Sequence, residues 1–154
     1  MTARSRGSIP EAGRGQSRAP PSEVPLRLVI LVHGGSWDRR FQASSLAASV
    51  AAAGGRCDLA LFFAALDAWA RGRWDDPDPD PPLTAGAIET AAFPPLSSLL
   101  EPGRAGGAIR LYACSASTRL LGLDPAAVQT RVDALAGWPT FARLIGEAER
   151  VVTF

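Results

Sequence analysis

Cys114 stands where a short apolar run, Ala108-Ile109-Arg110-Leu111-Tyr112-Ala113, gives way to the small residues Ser115-Ala116-Ser117-Thr118. That order reads as a buried strand, then a cysteine, then the start of a helix. The free N–H groups of a first helical turn, together with the helix dipole, favour a thiolate over a thiol. A reactive cysteine needs such a place, with the N–H groups of Ser115 to Ser117 and the hydroxyls of Ser115, Ser117 and Thr118 as donors. A second reading is also open, because free cysteines are among the most buried residue types and behave as small hydrophobes. No resolving cysteine is near Cys114 in sequence, which disfavours a dithiol redox cycle. Cys57 opens an earlier apolar run and reads as structural.

The other residues able to do chemistry are few. His33 is the only histidine of the chain. It either lies near Cys114 and helps to ionise it, as in a Cys–His pair, or is a turn residue bonded to backbone. His33-Gly34-Gly35 is similar to the oxyanion loop of α/β hydrolases, but there is no G-x-S-x-G elbow and no second histidine to act as base. Gly34-Gly35 is too short for a dinucleotide fingerprint. One histidine and two distant cysteines are too few for zinc, so no metal and no cofactor are expected. Trp37 and Trp138 either wall a pocket or merely pack, within the domain or at a subunit contact.

Three kinds of local signal position these groups. Leu26 to Val32 is a nearly continuous Leu/Val/Ile run, as in a strand buried on both faces. His33 to Ser36 is a turn, and Asp38 suits an N-cap for a helix to about Ala53, closed by Gly54 and Gly55. Cys57 to Phe63 reads as a second strand and Ala64 to Ala70 as a short helix. Residues 74–82, with Asp75, Asp76, Asp78 and Asp80 among prolines, read as an exposed, solvated acidic loop. A short helix about Leu96 to Leu100 leads through Gly103, Gly106 and Gly107 to the Cys114 strand. A short helix, Ser117 to Leu121, ends at Gly122. Asp124-Pro125 caps and opens the next helix. Val132 to Leu135 suits a short strand. Gly137-Trp138-Pro139 is a turn, with Thr140 capping a helix whose apolar face is Phe141, Leu144, Ile145 and Ala148. Val151 to Phe154 is a last strand.

Strands alternating with helices predict one three-layer α/β/α domain over residues 26–154, with a mainly parallel sheet of about five strands. Ligands of such folds bind at the C-terminal strand edge. The turns expected there gather His33, Gly34, Gly35, Phe63, Cys114, Ser115, Ser117 and Trp138. Residues 1–25 carry Arg, Pro, Gly and Ser without apolar periodicity and read as a disordered tail. Sixteen basic residues, all Arg, balance fifteen acidic ones for a net charge of +1, so neither nucleic acid nor another polyanion is an expected partner. There is no long apolar stretch for a membrane span, and no secretory signal or disulfide framework. A cytoplasmic protein is the expectation.

The order of these segments resembles the DsrE/DsrF-like sulfur-relay family. The likeness rests on Leu31-Val32-His33-Gly34, Phe62-Phe63, Leu111 to Ser117, Leu120-Leu121-Gly122-Leu123 and Ala148 to Phe154, over about residues 26–154. It is most specific around Cys114. The resemblance implies a sheet flanked by helices, trimers or hexamers, and a sulfur-carrying cysteine at Cys114. The expected function is an intracellular persulfide carrier or sulfurtransferase, exchanging sulfur with donor and acceptor proteins or small thiols. The alternatives are a non-catalytic interaction subunit of such an assembly and a thiol-dependent redox protein.

Overall fold

The computed structural model describes residues 25–78 and 85–154. The expected tail therefore lies outside the described residues except for Pro25, and so does the end of the acidic loop. The elements run β1 (Arg27–Val32), α1 (Trp37–Ala52), β2 (Arg56–Leu61), α2 (Phe63–Ala70), α3 (Ala85–Thr90), α4 (Leu96–Ala105) and β3 (Ile109–Cys114). They continue α5 (Ser115–Leu120), α6 (Pro125–Gln129), β4 (Ala134–Ala136), α7 (Trp138–Glu147) and β5 (Arg150–Thr153). The sheet has the order β4-β3-β2-β1-β5, and every pairing is parallel. All strand C-termini therefore meet at one edge. The fold is the expected three-layer α/β/α arrangement.

Its outer layers are unequal. Leu28, Ile30 and Val32 of β1 point to one face, with Cys57, Leu59 and Leu61 of β2 and Ile109, Leu111 and Ala113 of β3. That face is covered by α1, α2, α4 and α6 through Ala43, Ala47, Val50, Leu66, Leu100 and Val128. Alternate residues of the same strands, among them Val29, Leu31, Ala60, Tyr112 and Cys114, point the other way and join Phe62, Ala136 and the apolar residues Phe141, Leu144 and Ile145 of α7. Small residues on α1 let it lie close to the sheet, and Gly103 of α4 lets that helix approach Ile109: a Cβ there would sit 2.4 Å from the Ile109 Cδ1.

Several boundaries differ from expectation. The N-cap of α1 is Ser36, and Asp38 sits within its first turn, accepting a 2.5 Å hydrogen bond from Ser36 Oγ. That bond, partly opposed by burial, leaves the Asp38 carboxyl below its usual pKa. The first turn is capped from afar instead: Trp37 N donates to both carboxylate oxygens of Asp78 at 2.8 Å. The described part of the stretch expected to be a solvated acidic loop, residues 74–78, is thus folded onto the protein. Asp78 also pairs with Arg40 at 3.3 Å, and the Arg40 side chain, 4% exposed, donates to the carbonyls of Arg73, Trp74 and Asp76. Burial lowers the Arg40 pKa, and the Asp78 charge opposes that shift. Trp74 is buried and donates from Nε1 to Ser44 Oγ at 3.0 Å. Asp75 takes Ser97 N at 2.7 Å and so caps α4. Specific long-range partners outweigh hydration here, because helix N–H groups and a buried guanidinium would otherwise go unpaired.

The helix expected over Leu96 to Leu100 continues through Pro102 to Ala105. The strand expected at Val132 to Leu135 is Ala134–Ala136, since Val132 packs into the helix-covered core and Asp133 takes Leu111 N at 2.7 Å. The helix expected from Thr140 begins at Trp138 with Gly137 as N-cap, because proline is tolerated in a first turn.

Candidate functional site

The register sets the site. Val32, Leu61 and Ala113 are lateral neighbours, so the next residues, His33, Phe62 and Cys114, form a row across the C-terminal edge. Ala136 continues it beside Cys114. On the far side, His33 N and Gly34 N donate to Phe154 O at 2.8 and 3.3 Å, which ties the first turn to the end of β5.

Cys114 is the last residue of β3 and the N-cap of α5, with φ −70° and ψ 119°. Its carbonyl accepts from Thr118 Oγ1 at 2.9 Å, which fixes the strand-to-helix junction. The N–H groups of Ser115, Ala116 and Ser117 belong to the first turn and have no intrahelical acceptor. Ser117 Oγ is buried without a hydrogen-bond partner among the described residues. Ser115 is half-buried and close to Gly137: a Cβ on that glycine would lie 3.8 Å from Ser115 Oγ. Arg119 is exposed.

An aromatic cover closes this part of the sheet. Phe62 stacks on His33 at 4.7 Å between ring centres and on Trp138 at 5.6 Å, and meets Phe141 at 5.0 Å. Trp138, at the start of α7, is 56% exposed and forms the outer layer. Cys114 shares the buried cluster with Phe62 and Phe141 and is only 2% exposed.

Most of the residues expected at one edge do meet there, with one correction. His33 and Cys114 lie in the same row but with β2 between them, so their backbones are about 10 Å apart at the usual strand spacing. Phe62 fills the gap, and no hydrogen bond joins His33 to Cys114 among the described residues. The histidine therefore does not form a direct Cys–His pair. Gly34 and Gly35 serve close packing: a Cβ on Gly35 would meet the Ala64 Cβ at 2.8 Å, where the first turn lies against α2. Trp37 packs away from this row, stacked on Phe41 at 5.3 Å.

Phe63 is the residue whose role sequence reasoning missed. It was expected to end a strand; it opens α2 with φ +39° and is about half exposed. A bulky residue at positive φ is strained, and such strain concentrates at sharp functional turns. The only sequence signal was the doubled phenylalanine at a strand end.

Cys57 lies toward the other end of the strands and on the opposite face. Burial, helped by the Asp58 charge, pushes its thiol up to about 12. Among the described residues no three His, Cys, Asp or Glu side chains gather as metal ligands, and no helix is long and apolar enough to cross a membrane.

Compared with known protein families and with curated proteins, the chain matches none. Among solved structures it is similar to the protein of unknown function MTH1491 from Methanobacterium thermoautotrophicum. The TM-score is 0.54 at 15% identity, covering 84% of this chain and 99% of that one. A likeness at that identity concerns the fold alone.

Proposed function

We propose that this chain carries sulfur as a persulfide on Cys114, in the manner of the DsrE-type proteins it resembles. The observation that carries the reading is the place of Cys114: the last residue of a strand, the N-cap of a helix, and a member of the row where the strand ends converge. In the loading step, the Cys114 thiolate attacks the outer sulfur of a donor persulfide. The donor S–S bond breaks, the donor leaves as a thiolate, and Cys114 holds Cys–S–S⁻. An acceptor thiolate then attacks that outer sulfur, and Cys114 leaves as a thiolate. The two steps together involve no net oxidation. The first-turn N–H groups of α5 are the donors nearest to hand for the anion.

Access requires the aromatic cover to open, and Trp138 is its most exposed member. Phe63 and Trp138, both large and exposed at this edge, suit contact with a donor or acceptor protein or with another copy in a trimer or hexamer. Two free cysteines fit a cytoplasmic setting.

The burial of Cys114 favours a second reading, a non-catalytic interaction subunit that keeps the fold. Mass spectrometry of the native protein after exposure to glutathione persulfide separates the two. The carrier gains one sulfur atom in the wild type and in Cys57→Ser, and none in Cys114→Ser. Sulfur on Cys57, or none on the native wild type, overturns the carrier and leaves the interaction subunit.

A further inference from the structure

The thinly covered face of the sheet holds a second feature, at the opposite end from Cys114. Alternation along the strands brings Arg27 of β1, Arg56 and Asp58 of β2, and Arg110 and Tyr112 of β3 to this face, and α7 adds Arg143 and Glu147. Together they line a cavity of about 160 Å³. Strands of a parallel sheet are normally apolar on both faces, so a charged cavity against the middle strands is an exception.

Internal pairing accounts for only part of it. Glu147 accepts from both Arg27, at 3.2 Å, and Arg143, at 2.9 Å, and these two arginines hold its carboxyl below the usual range. Arg56 and Arg110 form no ion pair among the described residues. Asp58 sits beside Arg110 in the register, and the hydroxyl of the buried Tyr112 interacts with both. Four guanidinium groups thus face two carboxylates, and the two unpaired ones flank the single carboxylate that has no arginine bound to it.

We propose that this cavity binds a small tetrahedral oxyanion that still carries a proton, hydrogenphosphate being the representative. The guanidinium forks of Arg56 and Arg110 match two oxyanion edges. The Asp58 carboxylate, which only accepts, receives a hydrogen bond from the remaining P–OH. A fully ionised oxyanion of the same shape, such as sulfate, brings no proton and meets the Asp58 charge. The cavity is smaller than the roughly 300–1,000 Å³ of pockets for drug-sized ligands, which limits the occupant to the anion itself.

Titration calorimetry at neutral pH and constant ionic strength tests this, with inorganic phosphate, sulfate and chloride as probes; fixed ionic strength matters because these arginines are exposed and screened. The wild type binds phosphate saturably and at least about tenfold more tightly than sulfate, a preference of about 1.4 kcal/mol. The double variant Arg56→Gln, Arg110→Gln loses phosphate binding. Asp58→Asn admits sulfate and erases the preference. Cys114→Ser leaves phosphate binding unchanged, which keeps this site separate from the sulfur chemistry. Equal affinity of the wild type for phosphate and sulfate overturns the proposal, as does phosphate binding no better than chloride. Undiminished phosphate binding in the double arginine variant overturns it too. The wild-type comparison stands whether or not a variant folds.

Discussion

The two sides of the sheet are covered to very different depths, and their polar groups differ accordingly. On the deep side several helices close over Cys57, and Arg40, the one buried cation among the described residues, is tied to three carbonyls and to Asp78. On the shallow side, α7 alone lies over Cys114 and the arginine-lined cavity. On the deep side the Arg40 charge is met by three carbonyls and the Asp78 carboxylate, although its Nε and that of Arg104 carry no hydrogen bond among the described residues. The shallow side leaves Arg56 and Arg110 without an ion pair among the described residues and keeps Trp138 half in water. Chemistry with outside molecules is therefore expected on the shallow side, and stability on the deep one.

The largest expected effect is a break on the deep side. Arg40→Ala removes the donor from three carbonyls and leaves Asp78 with the Trp37 N–H but no cation, which destabilises the fold by about 3 kcal/mol in chemical denaturation. A change within about 0.5 kcal/mol would show that the loop is not the fastening it looks to be. Next comes the shallow side. Trp138→Ala removes the outer ring of the cover and raises the rate of Cys114 alkylation about tenfold, or 1.4 kcal/mol in opening free energy. The same change leaves Cys57 alkylation where it was. Equal acceleration at both cysteines would mean general loosening rather than local opening. The smallest effect concerns Cys57 in the native protein. With its thiol pushed up to about 12, the thiolate is scarce below that pH. Iodoacetamide labelling of Cys57 between pH 7 and 9 therefore stays near background until denaturant is added. Labelling that rises through this range as a free thiol's does would remove the distinction between the two sides.

What could be read from sequence follows the same division. Local signals sufficed for two of the strands: the Leu26 to Val32 run became β1, and the apolar stretch ending at Cys114 became β3 with a helix directly behind it. The edge grouping of His33, Cys114 and Trp138 followed from parallel topology alone. Three things did not follow. The capping of α1 by Asp78 joins residues 41 positions apart, so no local pattern announces it. The left-handed backbone of Phe63 is imposed by the turn from β2 into α2 and opposes the residue's own preference. The separation of His33 from Cys114 depends on the strand order, which places β2 between them. The arginine-lined cavity was within reach: Arg56, Asp58, Arg110 and Tyr112 alternate with apolar residues in two strands, a pattern that singles out one face once the strands are paired.

The pairing of β5 with β1 has a consequence for how the chain is made. Leu28 meets Arg150, so the strand that completes one side of β1 is synthesised only after nearly all of the described chain. Until then, a growing polypeptide holds an open edge of Leu, Val and Ile with its main-chain groups unsatisfied. Such an edge is a template for other nascent strands. Refolding should accordingly be slow, with its yield falling as concentration rises, because long-range parallel pairing delays the closing step.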